Sequence, residues 1–386
     1  MAFFTFKRVL SILIILCILF SLSICVNAKE NVTNELTFDC KSAILMEATT
    51  GTILYEFNAD TPLPPASVTK IMTLLLVMEE IDKGNLNYSD TVTTSSYAAS
   101  MGGSQIYLKE GEQMSVEDLI KSVVIASAND AAVALAEHIC GSEALFVQKM
   151  NDKARELGMV NTHFENTNGL DDTTVSHVIS AKDIAIMSRE LIKHEQILKY
   201  SSIWMDTIRN GEFGLTNTNR LVRFYKGATG LKTGSTSKAK FCVSATAKRD
   251  NMHLICVVMG APNSDIRNSI ATSLLNWGFS NFELYESQNT EFKPVKVISG
   301  VENYCSIHTP KFACVVNKGD SKYINARVNL PNVISAPISM GEEIGIVEYN
   351  LNGKIIGKSP ILSDMNISKI EFSELFIRIL SKFLIK

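Results

Sequence analysis

The sequence predicts an α/β (α+β) catalytic domain, an antiparallel sheet flanked by helices, followed by a small all-β domain and a terminal amphipathic helix. Three observations carry this expectation. Ile71, Met72, Leu74, Leu75, Leu76, Val77 and Met78 are apolar almost all round a helix, which marks a helix buried inside a domain. Two β-prone runs, Phe241 to Lys248 and Met252 to Met259, meet at Asp250-Asn251, the signature of a tight hairpin. From about residue 288 the texture changes to short β-prone runs separated by turn residues.

A chain of 386 residues is long for one domain and divides better into two. The expected divisions are a signal peptide over 1–28, a catalytic domain over 29–287, a β-rich domain over 288–366 and a membrane-associating helix over 367–386. Lys7 and Arg8 precede an apolar run from Val9 to Val26, and Val26-Asn27-Ala28 offers a small-residue cleavage site. An uncleaved N-terminal anchor is the alternative, and either way the bulk of the protein is expected to be exported. The net charge of -3, from 37 basic and 40 acidic residues, gives no reason to expect a nucleic-acid partner. Cys40, Cys140, Cys242, Cys256, Cys305 and Cys314 show no C-x-x-C spacing, so no zinc or redox motif is supported. Cys242 and Cys256 are expected on opposite faces of their hairpin and therefore unbridged.

In chain order, Ser42 to Glu47 and Thr52 to Phe57 read as a hairpin turning at Thr49-Thr50-Gly51. Pro64-Pro65 then leads into Ser67, a natural start for the buried helix that Gly84 stops. Ser115-Val116-Glu117-Asp118 resembles a capping box ahead of a helix from Leu119 to Ala126, and a second helix runs from Asp130 to Ile139. Two helices broken by Ser127-Ala128-Asn129 predict a rigid loop that projects Ser127 and Asn129. Helices follow over Glu143 to Leu157 and Ala181 to Ile192, with a loop at Asn166-Thr167-Asn168-Gly169-Leu170 between them. His163 and His177 flank that loop without a metal-ligand partner one turn away and read as structural. Lys232-Thr233-Gly234 precedes the Asp250 hairpin and is expected on an outer strand, where glycine lets another backbone approach. Asn263-Ser264 caps a helix to about Trp277, with Arg267 in its first turn against the dipole.

The chemistry resides in three stretches. Ser67 and Lys70, at i and i+3, share one helix face, and an amine that loses basicity in a dry, cationic site is able to deprotonate the serine. Ser-x-x-Lys alone is a weak signal, and the chain carries it at Ser67, Ser235 and Ser237. Only the first opens a buried helix. With Ser127-x-Asn129 and Lys232-Thr233-Gly234 it forms the ordered set of the penicillin-interacting serine transferases and hydrolases. Pro64-Pro65-Ala66-Ser67-Val68-Thr69-Lys70-Ile71-Met72-Thr73, Ser127-Ala128-Asn129-Asp130-Ala131-Ala132 and Asn217-Thr218-Asn219-Arg220-Leu221 resemble the serine D-alanyl-D-alanine carboxypeptidases, low-molecular-mass penicillin-binding proteins, of the spore-former type. The resemblance implies a penicillin-binding transpeptidase/β-lactamase-like fold, a peptidoglycan pentapeptide ending in D-Ala-D-Ala as substrate, β-lactams as inhibitors, and neither metal nor organic cofactor.

In that reading Ser67 forms the acyl-enzyme, Lys70 takes its proton, and Ser127, held by Lys232, relays a proton to the leaving amine. Asn129 bonds the substrate amide, Thr233 and Arg267 hold the terminal carboxylate, Gly234 lets the strand approach, and the N–H groups of Ser67 and Ser235 form the oxyanion hole. Two departures stand out. Lys240 occupies a place where much of the family has glycine, and Ser235 stands where relatives often carry an aromatic residue or histidine. The rivals are a class A-like β-lactamase and a non-catalytic β-lactam- or peptidoglycan-binding ectodomain. The first needs a Glu-x-x-Leu-Asn loop, and Glu165-Asn166-Thr167-Asn168 lacks the pattern. The second sits poorly with three intact motifs.

At the C-terminus, Glu371, Glu374, Arg378, Ser381 and Lys382 fall on one narrow helix face, and the remaining arc is apolar. Five charges between Lys369 and Lys382 rule out a spanning helix. The pattern predicts a helix lying in the outer face of the cytoplasmic membrane, with Lys369, Arg378, Lys382 and Lys386 favouring anionic lipid.

Overall fold

The structure, a computed structural model, describes residues 38–384 apart from residue 173. The expected signal peptide lies outside the described residues. Five antiparallel strands form the central sheet in the order Ile53–Phe57, Ser42–Glu47, Met252–Ala261, Lys240–Arg249, Ala228–Thr236. The strand carrying Lys232-Thr233-Gly234 is therefore an outer strand, as expected. Arg249 pairs with Met252 across the two-residue turn.

The three inner strands are buried on both faces, which is why they read as continuous apolar runs. Ile44, Met46, Ile255, Val257 and Met259 face the core that includes the helix Lys70–Asp82 and the helix Ala181–Leu191. The helix Ser264–Asn281 covers the other face, coming so close that a Cβ on Gly278 would stand 2.8 Å from both Leu45 and Leu254. Cys242 lies in the first core, and the six described cysteines, Cys256 among them, are all free thiols.

After the helix Ser264–Asn281 the strand Phe282–Glu286 pairs with Ala313–Asn317. A four-stranded sheet follows in the order Ile307–His308, Lys354–Ser363, Glu343–Leu351, Ile324–Asn329, turning at Asn352-Gly353, both in the left-handed region. Its core gathers Val295, Val297, Cys305, Val347, Tyr349 and Ile361. The terminal helix, expected from residue 367, runs from Phe372 to Leu384. It starts later because Ile367 is buried in the β core and its backbone pairs with Ile338.

Candidate active site

Ser67 lies inside a short 3-10 turn, Ala66–Thr69, and the α-helix proper starts at Lys70. The tighter winding brings residues three apart almost into register, and the Lys70 Nζ stands 2.9 Å from the Ser67 Oγ. Ala66 takes φ +50°, an unfavourable value for a residue with a side chain. It is held by a chain of hydrogen bonds that sequence reading missed. Its carbonyl accepts from the Thr69 hydroxyl at 2.8 Å, and that hydroxyl lies 2.8 Å from the His177 Nε2. The His177 Nδ1 accepts from the Glu165 N–H, which leaves Nε2 as the protonated, donating nitrogen. Burial pushes His177 down to about 4, so the ring is neutral. Gly169 packs directly on this turn: at φ +82°, a Cβ there would meet the Ala66 carbonyl oxygen at 1.9 Å.

The Lys70 amine has three neighbours, the Ser67 Oγ at 2.9 Å, the Asn129 Oδ1 at 2.5 Å and the Asn168 carbonyl at 2.8 Å. Both carbonyl oxygens are acceptors only. An amine that has lost its proton would give its two N–H groups to Asn129 and Asn168 and keep its lone pair for Ser67. Burial first, and the Lys232 charge second, hold Lys70 well below the ordinary lysine range, against the opposing pull of Asp130.

Between the helices, Ser122–Ala126 winds as a π-turn and delivers Ser127 at φ +63°. Ala128 caps the following helix, so Asn129 is its first residue. The Lys232 amine bonds the Ser127 Oγ at 2.8 Å and the Thr233 carbonyl at 2.9 Å. Burial and then Arg267 push Lys232 down to about 7. The strand itself presses on the turn that carries Ser67: a Cβ on Gly234 would stand 2.8 Å from the Ser67 N and 2.9 Å from the Pro65 O. Thr233 and Thr218 hydroxyls are 2.7 Å apart, which adds Thr218 to the site. Arg267 is buried, and its guanidinium bonds Asn268 and approaches the Cys242 carbonyl at 3.4 Å. Ser235 is exposed beside Gly234 on the same strand. Lys240 adopts φ +57°, the backbone conformation that glycine would suit.

These side chains are arranged for nucleophilic acyl transfer. The family profile described as D-alanyl-D-alanine carboxypeptidase matches residues 28–263. The chain belongs to this family. A second profile, the C-terminal domain of penicillin-binding protein 5, matches residues 279–369 of the carboxypeptidase. D-alanyl-D-alanine carboxypeptidase DacF of Bacillus subtilis is 44% identical over 95% of this chain and 96% of that protein. Penicillin-binding protein 5 from Haemophilus influenzae superposes with a TM-score of 0.76 at 32% identity, covering 86% of this chain and 98% of that one. Penicillin-binding protein D2 from Listeria monocytogenes in its ampicillin-bound form gives 0.59 at 33% identity, covering 63% of this chain and 99% of that one. In this carboxypeptidase Glu165 does not face Ser67: its carboxylate accepts from the Val175 and Ser176 backbone and the Ser176 hydroxyl. The place beside Lys70 belongs to the Asn168 carbonyl.

Proposed function

We propose that this serine D-alanyl-D-alanine carboxypeptidase works through a Ser67 acyl-enzyme with Lys70 as its base. The observation that supports the reading best is the buried Lys70 amine, 2.9 Å from the Ser67 hydroxyl and held well below the ordinary lysine range by burial and the Lys232 charge. Ser67 Oγ attacks the carbonyl carbon between the two terminal D-alanines while its proton passes to Lys70 Nζ. The C–N bond then breaks, and the leaving amine takes a proton through the Ser127 hydroxyl, held by Lys232. Water then attacks the ester carbon while its proton passes to Lys70 Nζ, and the Ser67–acyl bond breaks as that proton returns to Ser67 Oγ, freeing the shortened stem. The N–H groups of Ser67 and Ser235 stabilise the oxyanion. Asn129 bonds the substrate amide. Thr233, with Thr218 beside it, takes the terminal carboxylate, and Arg267 acts on it from behind the strand by its charge. β-Lactams acylate the same serine, in line with the ampicillin-bound relative.

The same reading places the enzyme outside the cytoplasm after loss of residues 1–28, on the outer face of the membrane. Among the described residues no helix is long and apolar enough to cross a membrane. Phe372, Phe376 and Ile377 on the terminal helix are exposed, Phe372 by 82%. Arg378, expected to serve anionic lipid, instead donates to the Gly300 and Val301 carbonyls. That contact leaves Arg378 half-buried, while Phe372, Phe376 and Ile377 stay exposed and available for in-plane insertion. Lys369, with Lys382 and Lys386 in sequence, remains for anionic headgroups. The test of function is D-alanine release from diacetyl-Lys-D-Ala-D-Ala by the purified ectodomain, beside hydrolysis of a chromogenic cephalosporin. Turnover of the peptide with the cephalosporin trapped as a slowly released acyl-enzyme is expected. Rapid cephalosporin turnover without D-alanine release would overturn it.

A further inference from the structure

The loop on the Ser127 side of the cleft carries a construction that the chemistry at Ser67 does not use. Gly102 and Ser104 in this loop accept from the Asn129 side chain and backbone. Further along, the buried Asp130 carboxylate accepts from the N–H groups of Ile106 and Leu108, whose side chains point into the core. The residue between them is forced outward. It is Tyr107, at φ +59° and 68% exposed. A bulky residue held in the left-handed region is strained, and a ring left in water recovers little of that by packing. Strain of this kind persists only where the surroundings over-determine it, and it collects at functional sites.

The surroundings here are rigid. Arg209, itself at φ +53°, ties the hairpin Met205–Ile208/Phe213–Thr216 to the loop. Its Nε donates to Glu112 at 2.7 Å and its Nη1 to the Ile106 carbonyl at 2.9 Å. The guanidinium stands 5.2 Å over the Phe213 ring, and that ring meets Tyr107 edge-on at 6.4 Å. Tyr107, Lys109, Glu110, Glu112, Arg209 and Phe213 line a hollow of about 630 Å³, within the usual size for small-molecule sites.

We propose that this hollow is a subsite for the glycan of the substrate strand, with a hexosamine ring stacked on Tyr107. The assignment rests on the carboxypeptidase reading of the cleft. A pyranose offers an apolar C–H face and a polar rim, which matches an exposed aromatic face edged by charges of both signs. An anionic ligand would meet Glu110 and Glu112, and a wholly apolar one would strand Lys109 and Arg209 without water. The loop that bonds Asn129 through Gly102 and Ser104 runs on to Tyr107, which links the hollow to the cleft. The stem leaves Ser67 past Asn129, whose partners sit on this same loop, and each extended residue carries it about 3.3–3.6 Å further.

The test compares kcat/KM on three substrates: diacetyl-Lys-D-Ala-D-Ala, the free pentapeptide stem, and the disaccharide-pentapeptide. Tyr107→Asn, which suits the left-handed backbone, is expected to lose at least tenfold on the disaccharide substrate, through KM. The loss should be confined to that substrate, and Tyr107→Trp should restore it. A loss that already appears with the free pentapeptide, an equal loss on all three, or no loss anywhere would overturn the glycan assignment. Failure of the unaltered enzyme to turn over any of the three would overturn the reading of the cleft, and this subsite with it.

Discussion

Gly169→Ala tests whether the loop after Phe164 sets the nucleophile's geometry. Gly169 sits at φ +82°, and its added Cβ would lie 1.9 Å from the Ala66 carbonyl oxygen, well inside contact distance. Backbone must therefore move by about 1 Å or more to restore ordinary contact. That carbonyl belongs to the turn carrying Ser67 and is fixed by Thr69 and His177. The left-handed backbone costs about 1–2 kcal/mol for alanine, and overpacking adds about 1–3 kcal/mol, so the total loss of stability is about 2–5 kcal/mol. Displacing a nucleophile by about 1 Å costs on the order of 10²-fold in rate. Gly84→Ala is the control, because Gly84 is also left-handed at φ +75° but has nothing within 4 Å of an added Cβ. It should lose only the backbone part, about 1–2 kcal/mol, with acylation unchanged. Denaturant melts and penicillin acylation rates on both variants read the two effects separately. If Gly169→Ala matched Gly84→Ala in stability and acylated normally, the packing of this loop on Ala66 would have no bearing on Ser67.

Lys70→Arg keeps a cation but no usable base, and acylation should fall by about 10²–10⁴-fold; near-normal acylation would make Lys70 an electrostatic group only. The pH profile of kcat/KM should be bell-shaped. It rises with pH as Lys70 loses its proton and falls as Lys232 loses its charge, with both limbs below the ordinary lysine value of about 10.4. Lys232→Arg should remove the alkaline fall while keeping the acid rise, and persistence of that fall would assign it elsewhere. Flotation with anionic liposomes should recover the mature chain but not one ending at Ile370, a stop that spares Ile367 in the β core. Equal recovery would refute the membrane role of the terminal helix.

The groups proposed to react were legible in sequence because each needs a particular side chain in a particular setting: Ser67 and Lys70 one turn apart, Ser127 between helices, Lys232 on an outer strand. What supports them was not. The Asn168 and Ala66 carbonyls act through backbone atoms that every residue possesses, so no residue type announces them. His177 reads as structural and is so, yet its partner Thr69 is 108 positions away. The π-turn before Ser127 is hidden because Val123, Val124 and Ile125 continue the apolar pattern of the helix. Arg267 was singled out for opposing a helix dipole, but its burial against Asn268 and Cys242 depends on how the helix lies on the sheet. Lys240 stands at φ +57°, in the backbone region that glycine enters without strain, and its residue type does not announce that.

The central claim is tested most directly by finding which residue a penicillin acylates. The mature protein, labelled with a fluorescent penicillin near neutral pH and mapped by peptide mass spectrometry, should carry a single adduct on Ser67. Ser67→Ala should carry none while keeping the unaltered melting temperature. An adduct on Ser127, Ser235 or Ser237, or undiminished labelling of Ser67→Ala, would contradict the account.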